Sequence, residues 1–273
     1  MSYLLAVLAG AIQGFTEFIP VSSSGHLVLF HNIFGFDFSD SLLFDVFLHL
    51  GTMIALIAFF YKEIIFLLLA FFKSIKHWNI KNDKDQRLAW MIIAGTVPAV
   101  IAGFFFESII ENYFHNSSIS ILVVAISLIA VGLLFFWVEK MAKKQKIIND
   151  IRLKDSLFIG IAQAIALIPG VSRSGITIIA GMAKDFKREQ AARFSFLLSI
   201  PIIAGAGLKS ILSVSSWSDV SMGLIIVGFL TSALTGYIAI KFLLNFLSNH
   251  SLKAFAWYRL IIGLLILVWF FVR

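Results

Sequence analysis

The chain contains no cysteine, only four prolines and few charges: 14% of its 273 residues are Asp, Glu, Lys or Arg. Without cysteine there can be no disulfide, no thiol nucleophile and no Cys-ligated metal. Four prolines are too few for a linker or a disordered arm. The shortage of charge excludes most, because a soluble domain carries roughly 25% charged and about 45–50% apolar residues. Here 60% of residues are hydrophobic, 29 are Phe, and the mean hydropathy is +0.96. Such a chain cannot coat a water-facing surface, and its composition predicts an all-α polytopic membrane protein. The net charge of +7 is therefore not read as affinity for nucleic acid, since basic residues in such proteins gather in cytoplasmic loops. The apolar first twelve residues have no positive stretch before them and Glu17 soon after. They read as part of the mature protein and not as a signal peptide.

Roughly 20 apolar residues are needed to cross a bilayer. Six stretches qualify, at about 46–72, 88–106, 119–138, 194–214, 221–240 and 255–271. The first carries Lys62 and Glu63, which predicts a bend or an early end. Two further apolar regions are interrupted. Residues 2–34 are broken by Gln13, Glu17, Pro20 and Ser22-Ser23-Ser24-Gly25-His26; residues 156–183 by Pro169-Gly170 and Ser172-Arg173-Ser174-Gly175. Loops 73–87, 139–155, 184–193 and 241–253 hold seventeen of the 22 Lys and Arg residues. Segments 35–45, 107–118 and 215–220 hold none, but contain Asp37, Asp40, Asp45, Glu107, Glu111 and Asp219. Positive loops stay inside, so the six spans alternate consistently. Loops 139–155 and 184–193 then share a side, which makes the region between them a re-entrant hairpin with its tip at Pro169–Gly175. The N-terminal hairpin enters from the opposite face.

A duplication accompanies this arrangement. At an offset of 150, Gln13 matches Gln163, Ser22 matches Ser172, Ser24 matches Ser174 and Gly25 matches Gly175. The pair Gly95/Gly103 resembles Gly228/Gly236 at an offset of 133. The expected architecture is one membrane domain over 1–273: six transmembrane helices plus two re-entrant helical hairpins in an inverted-topology repeat. Repeat one covers about 1–138, repeat two about 156–273, and a cytoplasmic connector about 139–155. Such repeats place their sites on broken helices at the repeat interface.

Non-helical backbone at membrane depth must be buried in protein or face a watery cavity, and charges there are costly and usually functional. Glu17 and His26 in the first break, and Arg173 in the second, therefore point to one shared site. Gln13 and Glu17, four apart, share a helical face. A helix starting near Ser22 puts a serine hydroxyl (Ser22 or Ser23) on the side of His26. Ser172, Arg173, Ser174 and Thr177 fall in the first turns of a half-helix, whose free N–H groups and dipole attract anions. Arg173 adds a forked guanidinium suited to phosphate oxygens. Together the breaks offer phosphate donors, a carboxylate for a cation, and a hydroxyl beside a base. Elsewhere, Asp45 and His49 read first as a structural pair, with a supporting role near the site as the alternative, and Arg259 as an interfacial side chain that snorkels.

The stretch Gln13-Gly-Phe-Thr-Glu17-Phe-Ile-Pro-Val-Ser22-Ser23-Ser24-Gly25-His26 resembles the (E/Q)xxxE and PVSSxGH signatures of the undecaprenyl diphosphate phosphatases, the bacitracin-resistance family. Pro169-Gly-Val-Ser172-Arg173-Ser174-Gly-Ile-Thr177 is similar to their PGxSRSxxT signature, and Asp45 with His49-Leu-Gly-Thr52 to a further pattern. Position 13 carries the Gln alternative, leaving Glu17 as the only carboxylate of its motif. The resemblance implies a hydrolase of the bacterial plasma membrane, its site open to the periplasmic or outer side. It would convert undecaprenyl diphosphate to undecaprenyl phosphate and inorganic phosphate, recycling the carrier for peptidoglycan synthesis and conferring bacitracin resistance. It also implies a divalent cation, Mg²⁺ or Ca²⁺, a polyprenyl diphosphate as substrate, and membrane lipid around the chain; whether the chain forms a homodimer is left open by the sequence. Carried over by motif position, Glu17, Ser23, His26 and Arg173 are the expected catalytic residues, with Glu17 on the metal. Ser22, Ser172, Ser174, Thr177 and Gln13 are the expected substrate contacts. Three routes stay open: Ser23 attacks with His26 as base, His26 attacks, or His26 activates water. Transport of an anionic lipid is the rival reading, since broken helices in inverted repeats also describe secondary transporters; a scaffold without turnover is the third.

Overall fold

The computed structural model describes residues 2–34, 38–114, 117–212 and 221–272. The side chains of Asp37, Asp40, Glu107, Glu111 and Asp219, expected in the acidic outer segments, fall outside this description. Among the described residues there are ten α-helices and no strand: α1 (Tyr3–Phe18), α2 (Ser23–Phe34), α3 (Phe38–Lys76), α4 (Lys84–Phe114), α5 (Ser117–Met141), α6 (Leu153–Ile165), α7 (Arg173–Ala183), α8 (Arg188–Leu212), α9 (Met222–Asn249) and α10 (Lys253–Val272).

Six of them, α3, α4, α5, α8, α9 and α10, are long and apolar enough to cross a membrane, and they coincide with the six stretches read from hydropathy. Their outward faces are apolar: Phe66, Phe104, Ile126, Leu234, Leu265 and Phe271 are all exposed. A chain in water does not leave such large side chains uncovered on every long helix; hydrocarbon is the solvent that fits them. The protein is a multi-pass membrane protein. The bend expected near Lys62-Glu63 is at Phe60, whose φ of −100° and ψ of 18° interrupt α3. Glu63 beyond it pairs with Arg193 of α8 at 2.8 Å, so the charge in the middle of this helix has a partner. One loop is shorter than expected: α9 continues to Asn249, and Lys241 is helical.

The other four helices, of 16, 12, 13 and 11 residues, rise 1.5 Å per residue and cannot span about 30 Å of hydrocarbon. They form two broken pairs, α1–α2 and α6–α7. The pairs are seated in matching ways. α1 lies along α9 and α6 along α4, while α3 meets α8 and α5 meets α10. Backbone meets backbone in both: a Cβ on Gly10 would come within 2.5 Å of the Gly228 carbonyl oxygen, and one on Gly160 would collide with that of Gly95. Gly10 and Gly160 are 150 residues apart and Gly95 and Gly228 are 133 apart, the offsets found in the sequence. The other glycine pair is unequal, because Gly236 faces Phe18 while Gly103 has open space beside it among the described residues.

On the basic side, Glu139 joins three segments. It accepts from Arg188 Nε and Nη2, both at 2.7 Å, from Lys144 Nζ at 2.8 Å, and from the backbone N–H of Leu252 at 2.8 Å. The start of α8, the connector and the α9–α10 turn are thereby tied to the end of α5. Removing a buried carboxylate with charged partners strands those donors, at about 3–5 kcal/mol. Glu139→Ala should lower the thermal midpoint in detergent by several degrees, and Glu139→Gln by less; an unchanged midpoint for Glu139→Ala would show that the tie contributes nothing.

Candidate functional site

The first break arises at Pro20. A residue before proline is pushed out of the helical region, and Ile19 is extended (φ −63°, ψ 129°), ending α1 at Phe18. The second follows from Pro169-Gly170. Gly170 takes φ +86°, and a Cβ there would also meet the Val124 backbone at 2.7 Å, so the turn needs glycine for both conformation and space.

Each break restarts with a serine in the left-handed region, Ser22 at φ 80° and Ser172 at φ 71°. Their surroundings are duplicates. Ser22 Oγ accepts from the Gly25 N–H at 3.2 Å and lies 3.3 Å from Ser24 Oγ. Ser172 Oγ accepts from the Gly175 N–H at 3.2 Å and lies 3.2 Å from Ser174 Oγ. A left-handed non-glycine residue costs roughly 1–2 kcal/mol, offset in part by this capping of a helix N-terminus.

The two breaks meet. Arg173 Nη2, at the start of α7, donates to Glu17 Oε1, at the end of α1, at 2.5 Å. Glu17 Oε2 accepts from Ser23 Oγ at 2.7 Å and from Gln13 Nε2 at 3.0 Å. His49 Nε2 of α3 lies 3.8 Å from the same oxygen. This cluster opens on a cavity of about 350 Å³ lined by Glu17, Ser23, Ser172, Arg173, His49 and Gln163. Its remaining wall is mostly apolar, with Val46 and Leu50 from α3 and Ile202, Ile203 and Ala206 from α8. Arg173 Nη1 and Gln13 Oε1 are buried without a protein partner among the described residues.

Not every expected residue joins the cluster. The hydroxyl–imidazole pair expected of Ser23 and His26 is replaced by the Ser23–Glu17 bond, because both nitrogens of His26 are engaged elsewhere. Nδ1 is 2.7 Å from the Ser22 carbonyl, which can only accept, so Nδ1 carries a proton; Nε2 is 2.7 Å from the Tyr258 hydroxyl. His26 is on the side of α10 and does not line the cavity. Thr177 points into protein, donating to the Arg173 carbonyl at 2.7 Å and meeting Ser195 Oγ at 2.6 Å. Ser174 is buried beside Ser172. The pair read as Asp45 and His49 is also different. His49 Nδ1 bonds the Asp45 backbone carbonyl at 2.8 Å, which leaves the Asp45 carboxylate to His31 at 3.3 Å and turns His49 Nε2 towards Glu17.

Arg259 is a correction. It does not snorkel but is fully buried, with its guanidinium spread over backbone carbonyls. Nη2 donates to Gly170 and Val171 at 2.9 and 3.0 Å and to Ser127 at 3.4 Å; Nη1 donates to Pro20 and Nε to Leu128, both at 3.3 Å. One side chain of α10 thus satisfies carbonyls freed by both breaks.

Among the described residues no three His, Asp or Glu side chains come together in a way that could hold a metal. Glu17 and Ser23 Oγ at the cavity, with Gln13 Oε1 buried behind them, nevertheless form an oxygen donor set that suits a hard cation of the Mg²⁺ or Ca²⁺ type, which takes one or two carboxylates together with phosphate oxygens.

The chain matches the family model described as "Bacitracin resistance protein BacA" over residues 6–265. It is 43% identical over 270 residues to the undecaprenyl-diphosphatase of Rubrobacter xylanophilus, covering 97% of each chain. It is 42% identical over 268 residues to that of Pelotomaculum thermopropionicum, covering 98% of this chain and 97% of the relative. To that of Moorella thermoacetica it is 41% identical over 273 residues, covering all of both.

Proposed function

Because the chain belongs to the bacitracin resistance protein BacA family, we propose that it hydrolyses undecaprenyl diphosphate to undecaprenyl phosphate and inorganic phosphate. The observation that carries this reading is the junction of the two breaks, Arg173 on Glu17 at 2.5 Å with Ser23 on the same carboxylate at 2.7 Å. A cation fork, a carboxylate and a hydroxyl within one apolar-walled cavity are the parts an in-line attack on a terminal phosphate needs.

As the diphosphate enters, Arg173 turns from Glu17 to the phosphate oxygens; its Nη1 has no protein partner among the described residues. The N–H groups at the start of α7 add to this grip through the helix dipole. Ser23 Oγ attacks the terminal phosphorus and passes its proton to Glu17 Oε2. The bond from that phosphorus to the bridging oxygen breaks, and undecaprenyl phosphate leaves. Water then cleaves the phosphoserine, restoring the serine and releasing phosphate. His49, close to Glu17, keeps that carboxylate in place. Glu17 and Gln13 Oε1 would hold Mg²⁺ or Ca²⁺, which when bound neutralises charge on the phosphates.

The polyprenyl tail runs between α3 and α8, past Val46, Leu50, Ile202 and Ala206, into membrane lipid. These positions lie in the first half of α3 and the second half of α8, away from the basic loops. With basic loops in the cytoplasm, the cavity of the re-entrant pairs faces the outer side of the bacterial plasma membrane. There the reaction would return the lipid carrier to peptidoglycan synthesis and lower sensitivity to bacitracin. The matched seating of α1 on α9 and α6 on α4 supports the inverted repeat.

The purified protein in detergent should release inorganic phosphate from undecaprenyl diphosphate, and EDTA should reduce the rate at least about tenfold, with recovery on adding Mg²⁺ or Ca²⁺. Transport needs a membrane with two sides and yields no phosphate in detergent. Absence of phosphate release would remove the hydrolase reading, and an EDTA-insensitive rate would remove the cation.

A further inference from the structure

Gln163 is a buried side chain, 2% exposed, whose amide nitrogen and amide oxygen both lack a protein partner among the described residues. An unbonded polar group at depth is expensive. Gln163 is nonetheless on the wall of the cavity that also holds Glu17, Ser23 and Arg173.

Its twin shows why it is free. Gln13, 150 residues earlier, sits one turn beyond Gly10 and gives its amide N–H to Glu17, four residues on, at 3.0 Å. Gln163 likewise sits one turn beyond Gly160, where α6 is pressed against the backbone of Gly95. Four residues on, however, stands Leu167. The duplicated site has kept the amide and has no carboxylate to receive it. Across the cavity the unpaired Nη1 of Arg173 is a second donor in want of an acceptor.

We propose that Gln163 is a headgroup-binding residue, its amide N–H donating to an oxygen of the diphosphate gripped by Arg173. The ligand class is a diphosphate or its close analogue, and the assignment of the natural substrate rests on the phosphatase reading above. An amide suits this place better than a lysine would, because it donates to phosphate without adding a second buried cation near Arg173.

Gln163→Leu, Gln163→Asn and Gln163→Glu test this, with methylenediphosphonate as a ligand that cannot be hydrolysed at its bridge. Without ligand, Gln163→Leu should melt at or above the wild-type temperature, since it removes two unsatisfied polar atoms. With ligand, the wild-type midpoint should rise and the Gln163→Leu midpoint should not. Affinity for the diphosphonate and kcat/KM for undecaprenyl diphosphate should each fall about 10- to 100-fold in Gln163→Leu, the range of one hydrogen bond to a charged group. They should fall further in Gln163→Glu, where a carboxylate faces the phosphates, and less in Gln163→Asn. A merely space-filling glutamine would give no such order. If Gln163→Leu does not fold, the order of Gln163→Asn and Gln163→Glu decides. Wild-type affinity and turnover in the folded variants would overturn the proposal. A wild-type protein that binds diphosphonate with Gln163-dependent affinity but releases no phosphate would leave this site standing and sink the hydrolase reading; one that does neither sinks both.

Discussion

Phosphate release should fall at least about 10³-fold in Arg173→Ala, with folded protein still recovered. An arginine on a transferring phosphoryl group is worth roughly 10³–10⁵ in rate, and among the described residues it is the only guanidinium lining the cavity. Glu17→Ala should be comparably impaired, because Glu17 both receives Arg173 and accepts from Ser23. The two changes should not add. Each disassembles the same cluster, so Glu17→Ala/Arg173→Ala should be little worse than either alone. A purely structural ion pair predicts a different pattern: neutralising both partners together would restore activity lost on neutralising one. Rates from single and double variants, normalised to monodisperse protein on size exclusion, distinguish the two.

Arg259→Met should yield little or no folded protein. The guanidinium satisfies carbonyls of Pro20, Gly170 and Val171 at the two breaks, and of Ser127 and Leu128 on α5. Each buried group left without a donor costs about 1–3 kcal/mol. The Ser127 and Leu128 carbonyls keep their helical donors, but stranding the three at the breaks removes several kcal/mol from a stability that is typically about 5–15. Arg259→Lys keeps the charge, but an ammonium cannot fork over carbonyls from three segments, and its midpoint should fall between wild type and Arg259→Met. Size-exclusion profiles and thermal melts in one detergent check this. A Met variant as stable as wild type would mean that the carbonyls find other donors.

Much of this arrangement is written locally in the chain. Span length shows in hydropathy, and the breaks show in Pro20, in Pro169-Gly170 and in the serine and glycine around them. The ionisable residues at both breaks pointed to one shared site, and there Glu17 meets Arg173. Contacts that depend on distant packing were not legible. His26 pairs with Tyr258 across 232 residues, and without that partner its spacing from Ser22 and Ser23 suggested a hydroxyl–imidazole pair. Asp45 and His49 stand four apart, but a helical carbonyl takes the imidazole N–H first. Arg259 near the start of an apolar helix looks like a snorkelling residue. Its one local warning is depth: six residues beyond Lys253 is about 9 Å along the helix, with no acidic neighbour in α10. Thr177 belongs to the expected motif, yet the phase of α7 turns it inward to Ser195.

The glycine contacts bear on what kind of machine this fold can be. Where Gly10 meets Gly228 and Gly160 meets Gly95, main chain rests directly on main chain, with no side-chain layer to slide or repack. Any motion that separated either pair of helices would expose packed backbone that no side-chain layer is there to cover. A pocket that admits its substrate sideways and discharges a small anion to the same side asks for no such parting.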